Sequence, residues 1–152
     1  TGGAYGCNGG KADKFTSAGG GGAGAQPVDA TEGYPSTGGS GLQCYDFILR
    51  AGGGGAACGT NNRTSVGQDG GGNGARPGAT PGRGANNTGG GAGGSTCNAT
   101  QGCPGVEGGS GTVLIKTTWK DVTITGSVVT TVLESGETVY RWNNTGSITF
   151  NQ

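Results

Sequence analysis

Glycine is distributed very unevenly along this chain of 152 residues, and that distribution limits the fold more than any other feature of the sequence. Of the 40 glycines, 37 lie in residues 1–111 and three lie in residues 112–152. Apolar residues make up 30% of the chain, against roughly 45–50% in ordinary globular domains. Residues 1–111, called here the glycine body, therefore cannot be organised around a conventional apolar core.

The glycines of this body occur in clusters that are separated by polar segments of similar length. The clusters lie at residues 19–22, 52–55, 70–72 and 89–91. Segments without side chains can form extended polyproline-II-like helices with three residues per turn, and such helices can pack closely through backbone hydrogen bonds. Pro, Asn, Thr and charged residues concentrate in the intervening segments, which we expect to be turns: residues 29–36, 61–68, 75–87 and 97–106.

One strand-like segment interrupts the glycine body. In residues 42–50, Tyr45, Phe47 and Leu49 alternate with other residues at a period of two, which predicts a single strand with these three side chains on one face. The segment continues directly into the glycines of residues 52–55. We therefore expect a strand that feeds an extended glycine segment.

Residues 112–152 have the composition of β-strands. Of these 41 residues, 25 are Val, Ile, Leu, Thr, Tyr, Trp or Phe. The pattern predicts a strand over 112–119 and a hairpin whose arms flank Glu134-Ser135-Gly136-Glu137, with a further turn at 143–146. No segment has a sustained period of 3.6 residues. The predicted fold is mainly irregular and all-β: a polyglycine-II-like bundle joined to a small antiparallel sheet, with almost no α-helix.

The sequence argues against catalysis and cofactor binding. The chain contains no histidine, the commonest general base. Gly19, Gly21 and Gly24 match a dinucleotide fingerprint, but without the strand and helix that this motif requires. Glu134 and Glu137, which are among the most closely spaced carboxylates, flank a predicted turn. We expect no enzyme activity and no cofactor.

Charge and hydropathy exclude two classes of partner. Nine basic and nine acidic residues give a formal net charge of zero, so a basic surface for nucleic acid is not expected. No stretch approaches the roughly 18 apolar residues that cross a membrane. A chain that begins at Thr1 and contains no methionine is expected to be a mature secreted product.

Five cysteines also favour an extracellular protein stabilised by disulfides, because no histidine and no CxxC pair is present to bind zinc. From their spacing we predict bonds between Cys97 and Cys103 and between Cys44 and Cys58, which leaves Cys7 free or intermolecular. Four sequons would accept glycans in a secreting eukaryote, at Asn62, Asn86, Asn98 and Asn143.

The few aromatic residues are candidates for partner contacts. Tyr140 and Trp142 lie on one face of a predicted strand, where core or subunit packing and sugar stacking are both open. Tyr5 and Tyr34 lie in glycine-rich loops and could contact a receptor or a glycan.

The residues resemble a known class of modules. The glycine clusters, closed by Gly109-Ser110-Gly111-Thr112-Val113-Leu114-Ile115-Lys116, resemble the glycine-rich modules of phage tail-tip adhesins and related bacterial surface proteins. Residues 123–150 resemble the β-hairpin that opens such modules, although here the hairpin follows the closing strand. The resemblance implies bundled polyglycine helices beside short strands, with recognition through variable loops.

Two functions are therefore expected, both on the outside of a cell or virion. In the first, the chain is a structural subunit that polymerises into a filament, with residues 122–150 completing the sheet of the next copy. In the second, it is an adhesin that binds a surface receptor through the loops between glycine runs. An ice-binding bundle is a third reading, which the irregular loops disfavour.

Overall fold

A computed structural model describes residues 6–14, 16–59, 61–96 and 104–151. These residues form β-strands, isolated bridges and turns and include no helix, as the sequence predicted. The five strands are β1 (Leu42–Gln43), β2 (Leu49–Arg50), β3 (Val113–Thr117), β4 (Val122–Val132) and β5 (Thr138–Phe150).

The last three strands form an antiparallel sheet in the order β3-β5-β4. The hairpin between β4 and β5 closes through a three-residue turn, in which the Leu133 amide donates to the Glu137 carbonyl and the Gly136 amide donates to the Leu133 carbonyl. Gly136 adopts a φ of 80°, so this turn is the one that the sequence predicted. β3 pairs only with the first part of β5, from Val113 opposite Trp142 to Thr117 opposite Thr138.

The β4–β5 hairpin bends back over its own first half. Four residues, 118–121, connect the end of β3 opposite Thr138 with the start of β4 opposite Phe150. If β4 and β5 were straight, the end of β3 and the start of β4 would be about 40 Å apart. Residues 118–121 can span about 18 Å at most. The bend lies where the register between β4 and β5 shifts, between Gly126 and Val128. Three residues of β5, 143–145, lie opposite this one-residue step, so the predicted turn at 143–146 is a bulge inside β5.

The folded-back half covers the aromatic side chains of β5. The Trp142 indole nitrogen donates to the Thr125 carbonyl at 3.1 Å, and a Cβ added to Gly146 would overlap the indole ring. Tyr140 and Trp142 are 7% and 4% exposed, with ring centroids 6.1 Å apart. Their burial requires the bend, because the bend brings a second layer of backbone over them.

Residues 42–50 form a hairpin rather than the predicted single strand. β1 pairs with β2, with Leu42 opposite Arg50, and a three-residue turn lies between Cys44 and Ile48. The period-two pattern was misleading because Asp46 lies in the turn and its carboxylate is held by Arg50 four residues later. β2 then continues into the glycine body, as expected.

In the glycine body, residues 52–58 form a fully buried central segment. Their backbone groups exchange hydrogen bonds with several other segments, whereas a strand in a sheet has at most two neighbours. Five of the partner segments contain Gly20, Gly39, Gln68, Gly72 and Gly91.

Glycine is required along this segment for steric reasons. A Cβ on Gly53 would overlap the carbonyl oxygen of Gly20, and a Cβ on Gly54 would overlap that of Ala92. The interior of the glycine body is therefore made of backbone in contact with backbone, and its few apolar side chains, such as Ala56 and Ala57, are small.

Candidate interaction surfaces

β4 is an edge strand whose second half, after the bend at Gly126, has an unpaired backbone edge among the described residues. It lies at the end of the sheet, and its sequence, VTITGSVVTTV, contains no charge and no proline. Because the Leu133 amide points inward to Glu137, alternation in an antiparallel pair directs the backbone groups of Val128, Thr130 and Val132 outward. Natural edge strands usually carry Lys or Pro that blocks pairing with another chain.

A second free edge adjoins an apolar groove. β3 ends its pairing at Trp142, so among the described residues the following part of β5 pairs with β4 alone. The Asn151 amide donates to the Asp121 carbonyl, and alternation then directs the backbone of Ile148 away from β4. The adjoining groove of about 260 Å³ is lined by uncharged residues: Val113, Ile115, Trp142, Asn144, Thr145, Gly146, Ser147 and Ile148.

The tip of the β1–β2 hairpin holds an exposed aromatic ring in a strained conformation. The Cys44 amide donates to the Ile48 carbonyl and the Phe47 amide donates to the Cys44 carbonyl. These bonds repeat the turn that contains Gly136, with Phe47 in the glycine position. Phe47 has a φ of 62° and is 71% exposed. The left-handed conformation costs a residue with a Cβ about 1–2 kcal/mol.

Asp46 joins this hairpin to the rest of the molecule. Its carboxylate accepts two hydrogen bonds from Arg50, at 2.5 and 2.7 Å, and one from Arg141 of β5 at 3.1 Å. The Arg50 Nε in turn donates to the Asn87 carbonyl of the glycine body. The hydrogen bonds from Arg50 are the main cause that lowers the pKa of Asp46 from 3.8 to about 2. The cluster therefore fixes the hairpin on both the sheet and the body.

A second exposed aromatic lies on the glycine body. Tyr34 is 60% exposed, and the guanidinium of Arg63 lies 3.9 Å from the centroid of its ring. The Gly33 carbonyl accepts a hydrogen bond from the Asn61 side chain at 2.6 Å, which connects the two turns. The ring of Tyr34 is thus accessible from solvent, and its contact with a partner stays a prediction.

The other predicted partner contacts differ in their placement. Tyr140 and Trp142 are buried by their own chain, so of the uses considered they serve core packing and are not available as surface contacts. Tyr5 lies outside the described residues.

The predicted bond between Cys44 and Cys58 is absent. Cys44 carries a free thiol in the β1–β2 hairpin, 3.7 Å from the Leu42 carbonyl oxygen. Cys58 lies at the far end of the buried central segment, where its amide donates to the Arg63 carbonyl. The prediction failed because the intervening segment is extended and holds its two ends apart. Cys7 has a free thiol and is half-buried, whereas Cys97 and Cys103 lie outside the described residues.

The sequon asparagines differ in accessibility. Asn62 and Asn86 are exposed in turns. Asn143 is half-buried in the bulge of β5, and its side-chain oxygen accepts a hydrogen bond from Thr112 at 2.8 Å. Asn98 lies outside the described residues.

The part of the chain that is described contains no group of three or more His, Cys, Asp or Glu residues that could hold a metal ion. Within the same residues, no helix has the length and apolar character needed to cross a membrane. Comparisons with protein-family models, with curated proteins and with solved structures give no match for this chain. The geometry of its surfaces is therefore the basis for proposing a function.

Sequence reasoning missed the two features that dominate these surfaces. The uncharged edge of β4 could have been noticed, because eleven consecutive residues without charge or proline are unusual for an edge strand. The exposed position of Phe47 was harder to predict from the sequence. Tyr45-Asp46-Phe47 can be aligned with Glu134-Ser135-Gly136 only once both hairpins are known.

Proposed function

We propose that this protein is a non-enzymatic structural subunit that assembles with other copies of itself into a filament on the outside of a cell or virion. In this proposal the glycine body is a rigid scaffold, and residues 112–152, called here the β region, make contacts between copies. The exposed sequon residues Asn62 and Asn86 suit an extracellular setting.

In the proposal, the glycine segments are threefold helices of the polyglycine II type. The support is a period of three in their hydrogen bonds. The carbonyls of Gly52 and Gly55 accept from Gly91 and Gly94, and the amides of the same two glycines donate to Asp69 and Gly72. The intervening residues bond in other directions: the amide of Gly53, for example, donates to Gly39. A threefold helix directs every third residue to the same neighbour.

The observation that carries self-assembly is the edge of β4. Its outward amides and carbonyls at Val128, Thr130 and Val132 match those that any second strand would offer. The net charge of zero means that copies do not repel one another strongly. Pairing of this edge with the free edge of β5 on another copy, near Ile148, would join two different surfaces. Such a contact need not close and produces an open filament.

Exchange of residues 122–150 between copies is a second arrangement of the same elements. In the structure, β5 pairs with β3 of its own chain. Under exchange, the same register would form between chains, and residues 118–121 would have to straighten. Addition to a free edge requires no such change, and we therefore favour it.

A proline at position 130 tests the proposal. The Thr130 amide faces outward from β4, so Thr130→Pro removes a donor for the neighbouring copy while keeping the ladder to β5. We expect the parent protein to form filaments in negative-stain images and Thr130→Pro to sediment as a monomer. Thr130→Val keeps the amide and should still form filaments. Thr130→Lys provides a second block that does not alter the backbone.

Two results would contradict the proposal. One is a parent protein that remains monomeric in sedimentation at high concentration. The other is filament formation by both Thr130→Pro and Thr130→Lys at the concentration that the parent requires.

Receptor binding by an adhesin is a second candidate function, and the exposed pair of Tyr34 and Arg63 favours it. An aromatic ring beside a guanidinium can contact a sugar or an acidic group. Under this function, Tyr34→Ala would abolish binding to the host surface, and neither Tyr34→Ala nor Thr130→Pro would change the oligomeric state.

A further inference from the structure

We infer that Phe47 is an aromatic anchor that inserts into the apolar groove between β3 and β5 on a second copy of this chain. This inference rests on the proposed self-assembly and specifies one contact within it. It adds a side-chain contact beside the β4 edge, because Phe47 lines a cavity together with Thr131 and Val132 of that strand.

The first argument is the position of Phe47 in its turn. The two hairpins have the same hydrogen bonds, and the left-handed position is occupied by Gly136 in one and by Phe47 in the other. A chain with 40 glycines thus has phenylalanine where glycine is preferred. The ring gains little burial within its own chain, because 71% of the residue is exposed. A strained and exposed aromatic residue is typical of a binding position.

The second argument is that the hairpin tip is fixed and uncharged on its outer side. The only charged side chain in the turn, Asp46, is 8% exposed and is bound by Arg50 and Arg141. Tyr45 beside it lies under the ammonium of Lys116, at 5.1 Å. The turn itself therefore presents no free charge that would resist burial against another chain, and the nearest carboxylate of the adjacent hairpin, Glu134, lines the same cavity as Phe47.

The groove matches this anchor in size and chemistry. Its volume of about 260 Å³ is below the roughly 300–1,000 Å³ of small-molecule sites, which suits one side chain. Val113 is 59% exposed at its rim, and the floor includes Ile115, Trp142 and Ile148. No charged residue lines the groove.

The two surfaces lie on opposite faces of one sheet. Val113 and Ile115 share a face with Trp142 and Tyr140, because these residues are directly opposite in the register. Arg141 lies on the other face, and it binds Asp46 of the Phe47 turn. One copy therefore supplies the anchor from one face of its sheet and receives an anchor on the other. Every copy carries both the uncharged tip and the uncharged groove, which favours a second copy as the occupant, and the heterologous contact then repeats in an open row.

Photochemical cross-linking of assembled full-length protein tests this contact. Phe47 is replaced by p-benzoylphenylalanine, filaments are irradiated, and the linked peptides are identified by mass spectrometry. We expect links between chains, from residue 47 to residues 113–115 or 142–148. Val28 on the glycine body is 72% exposed and provides a matched position for the same photoreactive residue. From there, links into the groove are not expected.

Two substitutions support the mapping. Phe47→Ser and Val113→Lys should each raise the concentration needed for assembly at least tenfold, whereas Val28→Ser should leave it unchanged. Links from residue 47 to any other surface, or normal assembly by both variants, would overturn the inference and leave the β4 edge as the contact. A parent protein that stays monomeric would instead overturn the proposed function, and this inference with it.

Discussion

The glycine body and the β region form their buried interiors from different parts of the chain. In the glycine body, residues 52–58 are buried with almost no side chains, and backbone hydrogen bonds with several neighbouring segments fill the interior. In the β region, Tyr140 and Trp142 form a small apolar core that exists because the β4–β5 hairpin bends over it, and Val139 is buried on the opposite face of the sheet. The difference shows that burial in this protein depends on backbone proximity in one half and on side chains in the other.

The two regions also differ in how many of their backbone groups are left free to bind another copy. Backbone groups of the central glycine segment are already paired in several directions, so this segment has little left to offer to another chain. The β region leaves the edge of β4 and part of the edge of β5 without neighbours among the described residues. We therefore expect substitutions in the buried glycine segments to affect folding, and substitutions in the β region or at the tip of the β1–β2 hairpin to affect assembly.

The largest effect is expected from a single methyl group in the central glycine segment. Gly53→Ala would place its Cβ against the Gly20 carbonyl and separate two hydrogen-bonded segments. With roughly 1–3 kcal/mol lost per unsatisfied group, we expect a loss of several kcal/mol in the free energy of unfolding, measured by urea denaturation. Gly90→Ala should behave similarly, because its Cβ would overlap the Gly70 carbonyl.

Gly111→Ala is the matched control, because a Cβ at Gly111 meets nothing within 4 Å. It should leave the stability unchanged or raise it slightly. A Gly53→Ala protein that is as stable as Gly111→Ala would show that the interior of the body is not packed backbone.

A smaller effect is expected where the two regions meet. The pKa of Asp46 is lowered from 3.8 to about 2, so its ionised form stabilises the fold by about 2 kcal/mol at neutral pH. This contribution is fully present above pH 4 and is lost as the pH falls toward 2. Asp46→Asn should lose it at every pH and should also lack this part of the acid transition in thermal melts.

The matched control for Asp46 is the exposed carboxylate of Glu107, which pairs with Arg83 on the surface of the body. Glu107→Gln should keep the parent's acid transition, because exposed pairs contribute little. Identical acid profiles for the parent and Asp46→Asn would mean that the hairpin is not fixed by this cluster.

Phe47→Gly is expected to give the smallest change in stability and the clearest separation of folding from assembly. Glycine suits the left-handed turn, so the free energy of unfolding should stay the same or rise by up to about 1 kcal/mol. The concentration needed for filament formation should nevertheless rise at least tenfold, because the side chain that enters the groove is gone. Reduced stability together with unchanged assembly would show that Phe47 stabilises the fold and makes no contact between copies.

Several parts of the fold could be predicted from the sequence for simple physical reasons. Clustered glycines exclude an apolar core, alternating residues predict strands, and Glu134-Ser135-Gly136-Glu137 is a turn with glycine at the position of positive φ. These inferences use local information only. The sheet order and the partners of each glycine depend on contacts distant in sequence, which a low-complexity segment does not encode visibly.

The candidate surfaces were harder to predict because they depend on what the fold leaves unpaired. The burial of Tyr140 and Trp142 follows from the bend at Gly126, which is one of only three glycines in the β region. The free edge of β4 follows from the sheet order. Residues 42–50 were misread because the pair of Asp46 and Arg50 closes a turn inside an alternating pattern.

Hydrogen exchange of the protein before and after assembly tests the division between scaffold and contact surface most directly. The amides of Gly53 and Gly55 should exchange slowly in both states, because both donate inside the body. The outward amides of Val128 and Thr130 should exchange rapidly in the monomer and at least a hundredfold more slowly in the filament. Rapid exchange at Gly53 in the monomer, or rapid exchange at Thr130 in the filament, would contradict this division.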